Sequence, residues 1–400
     1  MLNWYTIDPI FYSNQRPGGI TDDDVSDLYT RRIFIDEVFP EIDVAQGQQT
    51  IINSLDLAYY PTERGPYNFD PNATNGIINA NDSWAGITRQ ITSTDFEQAN
   101  VEYIDFWVQD PFLDDTAPAQ GGKLFINLGN ISEDVLKDGK KQYENGLPEN
   151  GNISNLVPTS YNTVVPRNQS LIYTFSTGGQ ERDNQDVGYD GYDDNEEATL
   201  IPNGAAFGPD PANDNYTYYL NTDGDIFQRY KRYNGLQGNS PDVFTDTNRG
   251  STAQPDVEDI NRDNTMNTID SYFQYEIDIN PNALNIANPQ INDIKTRNVT
   301  LPNGDEREVK WYQFRIPISD PTEAIGGITD IRSVRFVRLF VNGFQQRRVL
   351  RFATLDLVRS DWRRYTLTLD DEPNNDNDVT DLNVGVVGLQ ENDGNYVLPP

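Results

Sequence analysis

Two stretches decide the fold: Asn100-Val101-Glu102-Tyr103-Ile104-Asp105-Phe106-Trp107-Val108-Gln109-Asp110-Pro111-Phe112 and Gly122-Lys123-Leu124-Phe125-Ile126-Asn127-Leu128-Gly129-Asn130-Ile131-Ser132-Glu133-Asp134. Each alternates apolar and polar side chains with period two, and Pro or Gly punctuates the ends. This is the pattern of two half-buried antiparallel strands. It predicts Tyr103, Phe106, Phe125 and Leu128 as core. Working outward, residues 51–60, 84–91, 271–279, 309–318, 334–341 and 348–359 also read as strands with one apolar face, and residues 32–36 as a short one. Helical signal is sparse. Residues 132–139 suggest one or two turns, with Ser132 as N-cap, acids in the first turn and Gly139 as the stop.

Residues 103–109 and 124–133 are echoed by 334–341 and 350–361: a strand, an excursion, then a strand ending among acids. Duplication is one reading, and the sameness of all alternating strands is the other. The expected fold is all-β, with two jelly-roll-like β-sandwich domains, long irregular loops and very little helix. The expected divisions are an irregular leading segment at 1–50, a first sandwich core at 51–145, a polar loop-rich excursion with acidic turns at 146–255, a second sandwich core at 256–370, and an exit segment at 371–400 toward a following domain.

Composition limits the chemistry. The 400 residues carry 63 acidic and 30 basic side chains, a formal net charge of −33. Phosphate backbones need a basic face, so no nucleic-acid partner is expected. The apolar share is only 36%, but aromatics reach 11%, which fits a β-rich chain with long loops. Cysteine and histidine are both absent, which excludes disulfides, Ser-His-Asp and Cys-His centres, and His-ligated metals. No run of 18 apolar residues occurs. The first residues lack a signal peptide's basic start and apolar centre. Two expectations remain open: a cytoplasmic protein beginning at Met1, or an internal piece of a longer chain, which the abrupt end at Pro400 favours.

The acids form two clusters with cation-ligand spacing. Counting Asp186 as position 1 of an EF-hand loop, Asp186, Asp190, Asp194 and Glu197 fall at 1, 5, 9 and 12, with Gly191 at 6. Position 3 is Gly188, which offers no side-chain ligand. Calcium is the expected ion, and a solvated acidic turn is the alternative. Residues 255–264, with Asp256, Glu258, Asp259 and Asp263, form the second cluster. Paired carboxylates for glycoside hydrolysis carry almost no signal in so acidic a chain. Trp84, Trp107, Trp311 and Trp362 could line a sugar-binding face, although Trp107 and Trp311 sit within alternating strands and read as core. No Gly-rich phosphate loop follows a strand.

Longer phrases carry a family resemblance. They include Trp4-Tyr5-Thr6-Ile7-Asp8-Pro9, Leu55-Asp56-Leu57-Ala58-Tyr59-Tyr60-Pro61-Thr62-Glu63-Arg64-Gly65-Pro66-Tyr67-Asn68-Phe69, the opening pair with Val135-Leu136, Arg229-Tyr230-Lys231-Arg232-Tyr233-Asn234-Gly235 and Asp259-Ile260-Asn261-Arg262-Asp263-Asn264-Thr265. Trp311-Tyr312-Gln313-Phe314-Arg315-Ile316-Pro317 and residues 350–359 close the set. Taken together, the chain resembles the SprA (Sov) family of Bacteroidota, the giant outer-membrane translocon of the type 9 secretion system. The resemblance implies an internal fragment of a very large transmembrane β-barrel that passes folded cargo and supports gliding motility. It implies no catalytic residues. Few strands here carry the apolar lipid face of a barrel, so the fragment reads as a non-enzymatic soluble cap or plug inserted between barrel strands, at the cell surface. The implied partners are secreted cargo and plug-type or peripheral lipoproteins, with the membrane barrel outside this fragment. A cell-surface carbohydrate-binding sandwich, calcium-stabilised, is the alternative, and a carboxylate-based hydrolase the third.

Overall fold

The computed structural model describes residues 1–43, 50–65, 80–92, 94–115, 120–144, 152–159, 163–167, 191–200, 204–233 and 256–359, with isolated positions at 45, 47–48, 150, 174 and 181. All lie within the compact unit Met1–Ser360. In chain order the strands are β1 Leu2–Tyr5, β2 Ile33–Phe34, β3 Ile51–Ile52, β4 Leu55–Tyr59, β5 Trp84–Gln90, β6 Val101–Gln109, β7 Gly122–Asn130, β8 Leu156–Pro158, β9 Val164–Pro166, β10 Ser271–Ile279, β11 Ile291–Thr300, β12 Glu306–Pro317, β13 Glu323–Ile325, β14 Phe336–Asn342 and β15 Arg348–Arg359. Among the described residues, three short helices with full ranges interrupt them: α1 Ile35–Val38, α2 Asp194–Leu200 and α3 Ile226–Tyr230.

The chain is an all-β sandwich. One sheet has the strand order β1-β4-β15-β6-β12-β11, and the other β13-β10-β7-β14-β5. The quoted stretches β6 and β7 therefore do not pair with each other. β6 lies between β15 and β12, and β7 between β10 and β14. Period two identifies the apolar face of a strand but not its neighbour, so the alternation could not distinguish a hairpin from an arch between sheets. The echo at 334–361 has the same explanation. β14 lies beside β7 and β15 beside β6, so the second arch pairs crosswise with the first. Segments 51–145 and 256–370, expected as separate sandwiches, place their described strands in the same two sheets, apart from β3, which pairs with β2.

Side chains on the facing surfaces form one core. Ile104, Phe106 and Val108 of β6 and Leu124, Ile126 and Leu128 of β7 join Tyr275, Ile277, Phe314, Leu339 and Phe352 in it. The Phe106 ring stacks on Phe314 at 5.0 Å and meets Phe352 edge-on at 5.6 Å. Phe106 and Leu128 are core as expected. Phe125 is also buried, but on the outer face of its sheet, stacked 4.5 Å from Phe340. Tyr103 is only half-buried and lies beneath the Arg315 guanidinium. Its odd position in β6 points away from the core.

The six-stranded sheet is covered on its outer face as well. Trp107 and Trp311 pack with Ile33 and Val38. A second cluster joins Tyr5, Ile7, Phe11 and Leu28 from the leading segment to Tyr216, Tyr219, Ile226, Phe227, Tyr230 and Tyr233. Residues 204–233, within the expected excursion, are thus anchored by aromatic rings. Tyr230 stacks on Tyr5 at 4.4 Å and on Tyr219 at 4.8 Å, and the Tyr219 hydroxyl donates to Asp8 at 2.6 Å. Two buried ion pairs fix this cover. Arg351 of β15 meets Asp56 of β4 at 3.1 Å and donates to Ser54 Oγ and Leu28 O. Arg31 donates to Glu37 through both terminal guanidinium nitrogens at 2.8 and 2.6 Å.

Residues 132–139 form no helix. The backbone N–H groups of Val135 and Leu136 go to the Glu258 carboxylate, and those of Asp138 and Gly139 to Asp134. Carboxylate acceptors replace the helical ladder. Gly139 does adopt a left-handed turn conformation, with φ 71°.

Three substitutions test this architecture by urea unfolding. Phe106→Ala is expected to destabilise the chain by about 3–5 kcal/mol through the cavity it leaves. Asp56→Ala, which strands a buried guanidinium, is expected to cost a similar amount, about 3–5 kcal/mol. Trp84→Ala, at a residue 62% exposed, is expected to stay within about 0.5 kcal/mol of wild type.

Candidate functional site

Helix α2 places Asp194 and Glu197 three residues apart, hence on one face. The loop after it brings in Asp210, and ligand oxygens of all three lie within 4.8 Å of one another. Glu197 and Asp210 are buried and Asp194 is half-buried. The loop is pinned from outside: Arg64 Nη1 donates to Pro211 O at 2.6 Å, and Asn213 Nδ2 to Arg64 O at 2.6 Å. Inside the cluster, Ala212 N donates to Glu197 Oε2 at 2.8 Å. Asn215 Nδ2 donates to both Asp194 oxygens at 3.0 and 3.1 Å. Arg232 pairs with Asp210. The donors that converge here are all carboxylate oxygens, a set that suits a hard divalent cation.

The structure thus brings together Asp194 and Glu197 of the sequence-derived set, while Asp186 and Asp190 lie outside the described residues. Asp210 was missed because it lies beyond the twelve-residue loop template. Its only local signal is Pro209-Asp210-Pro211, an acid held between two ring-constrained residues.

The second acidic cluster is built differently. Glu133, fully buried, accepts the N–H groups of Ile260 at 2.6 Å and Asn267 at 2.9 Å, and the Asn267 side-chain amide at 2.7 Å. Glu258 reciprocates across the same seam, accepting Val135 N at 2.7 Å, Leu136 N at 3.3 Å and Gln142 N at 2.9 Å. Asp259 pairs with buried Lys141 at 2.8 Å and accepts Asp263 N and Asn264 N. Each segment lends the other a carboxylate that satisfies its loop backbone. The oxygens sequence reasoning offered to a cation here are occupied by N–H donors. Burial outweighs those donors at Glu258 and pushes its carboxyl up to about 7.

Of the tryptophans that could form a sugar platform, Trp107 and Trp311 are buried and Trp84 is exposed beside Phe340. Trp362 lies outside the described residues. No helix of the described residues is long and apolar enough to cross a membrane, which says nothing of strands that cross as a barrel.

The family model described as motility related/secretion protein, SprA_N, matches residues 195–400, just over half of the chain. No curated protein matches the chain. The chain belongs to the SprA family, whose role is in motility or secretion.

Two measurements follow. Calorimetric titration with millimolar calcium is expected to show heat and a rise in melting temperature for the wild-type chain, both lost in Asp210→Asn; a thermally silent wild type would remove calcium from this cluster. For Glu258, a folded carboxyl raised above its unfolded value contributes stability that is complete below about pH 4.5 and disappears as pH rises through about 7. Melting temperature is therefore expected to fall between pH 5 and pH 8, and Glu258→Gln to flatten that slope.

Proposed function

We propose that this family member is a non-enzymatic insert, a cap or plug, of a giant outer-membrane protein-secretion translocon of the type 9 system of Bacteroidota. It acts by shape and contact, supporting passage of folded cargo and gliding motility, with the barrel wall formed by chain outside these residues. The observation that carries this reading is the double covering of the six-stranded sheet. A barrel strand offers alternate residues to lipid over about 9–11 positions. Strands β6, β12 and β15 are long enough, but their inner residues fill the sandwich core, and Trp107 and Trp311 of the outer set lie under α1 and β2. Outward positions elsewhere are charged or amide-bearing, such as Asp105, Gln313 and Arg315, which bond to one another. A unit that buries both faces of its main sheet in its own chain suits a globular body beside a pore better than a wall strand.

The proposed partners are secreted cargo and plug-type or peripheral lipoproteins, on the cell-surface side of the outer membrane. The carbohydrate-binding alternative depended on several tryptophans sharing a face. Among the described residues, only Trp84 is an exposed tryptophan.

The test is affinity purification of full-length protein after in-cell crosslinking, with and without residues 1–359. Cargo and lipoproteins are expected to be recovered from the intact protein and lost from the deletion, while the barrel still inserts. Recovery unchanged by the deletion would refute the insert's contact role, and saturable binding on a glycan array would favour the carbohydrate reading.

A further inference from the structure

A pocket lies at the seam between the leading segment and the six-stranded sheet, in a part of the molecule that neither the acidic clusters nor the core accounts for. Its walls come from residues 6–12, 31–33 and 51–54 and from Arg351 of β15. Three arginines, Arg31, Arg32 and Arg351, line it. That is notable in a chain with a net charge of −33.

The three guanidiniums are not equivalent. Arg351 is fully committed, with its nitrogens donating to Asp56, Leu28 O and Ser54. Arg31, 3% exposed, gives its terminal nitrogens to Glu37 and to Arg32 O. Its Nε–H is buried with no acceptor among the described residues. Arg32 forms no ion pair with a described residue; its guanidinium lies 4.8 Å over the Tyr12 ring, and its Nε–H too is buried without an acceptor. Asp56 and Glu37 pair with two of the cations; among the described residues Arg32 has no ion-pair partner, and Arg31 and Arg32, both lining the pocket, each carry an Nε–H without an acceptor. A buried donor without an acceptor costs about 1–3 kcal/mol, and more when the group is charged.

We propose that this pocket binds a carboxylate whose oxygens accept from the Arg31 and Arg32 Nε–H groups, with Arg32 supplying the compensating charge. Size and charge both select this ligand. The cavity offers about 20 Å³ for a water-sized group, where roughly 10–15 Å³ holds one water. That space admits the tip of a planar carboxylate but not a sugar ring or a nucleotide. A water molecule would satisfy the donors but leave Arg32 unneutralised, and charge-assisted bonds to a carboxylate are roughly twice as strong as neutral ones. The carboxylate can come from an acidic side chain or from a peptide C-terminus. Bound there, it would tie a partner to the junction of the N-terminal cover and β15.

The test uses the full chain at pH 7 and constant ionic strength. Replacing chloride by acetate is expected to raise the melting temperature saturably, by about 2 °C at ten times the dissociation constant. Arg32→Gln should melt like wild type in chloride and lose the acetate response. Should that variant fail to fold, the Nε–H resonances of Arg31 and Arg32 in the wild-type chain provide the readout, and both are expected to shift on acetate addition. Equal behaviour in acetate and chloride, with unmoved Nε–H signals, would assign the pocket to water and overturn the proposal. N-acetylglycine and N-acetyl-aspartate amide then separate the two carboxylate sources, the stronger response identifying a terminal or a side-chain carboxylate.

Discussion

The structure depends on a crossed pairing: two arches, β6–β7 and β14–β15, each spanning both sheets, lie strand against strand. β6 takes β15 as a neighbour, and β7 takes β14. Neither arch can bury its own apolar face alone, because its two strands face each other across the core instead of bonding edge to edge. The ladder that satisfies β6 comes from residues more than 200 positions away. Such long closures are slow to form and yield little until both sheets are present. Cooperativity is the consequence: Phe106 has Phe314 on one adjacent strand and Phe352 on the other, so the central aromatic packing exists only when the distant halves have met.

Strand positions were legible because alternation and turn residues are local signals. β10 and β15 coincide with the stretches read as strands, and β5, β12 and β14 lie within two or three residues of theirs. Partner choice was not legible, since a strand's apolar face is the same whether its successor pairs beside it or packs opposite. β11 was missed for another reason. Asp293, Lys295 and Arg297 interrupt its alternation, and β11 is an edge strand, where charge discourages pairing with other molecules. The cover was missed because its apolar residues are spaced by turns. Tyr216, Tyr219, Tyr230 and Tyr233 form a cluster in space but only scattered aromatics in a polar sequence.

The acids show how far composition can mislead about chemistry. A −33 chain invites cation sites wherever carboxylates crowd, and spacing alone put the clusters at 186–197 and 255–264 on similar footing. Structure separates them. Around Glu133 and Glu258 the carboxylates replace a helical ladder, each accepting N–H groups from the opposing loop. Around Asp194, Glu197 and Asp210 three carboxylates converge within 4.8 Å, with Arg232 paired to Asp210. The i, i+3 relation of Asp194 and Glu197 was readable in the sequence. The arrival of Asp210 required the loop that Arg64 and Asn213 pin in place.

The edges of the two sheets add a last constraint on how such a body can sit beside other chains. An open sheet edge is a template for a further strand unless it is short, charged or covered. β1 and β13 are four and three residues long, and β11 carries its charges along the strand. β5 differs. It is seven residues long, with Trp84 exposed at one end and Arg89 the sole charged side chain along it. Gly86 lies opposite Phe340, where a Cβ would come within 2.6 Å of the Phe340 Cβ, so the missing side chain lets β5 approach β14 closely. Three of the four edges among the described residues thus carry a device against strand addition, and the fourth relies on a single arginine. A body meant to float freely would gain from closing that edge. Among the described residues, β5 is the edge least protected against a further strand.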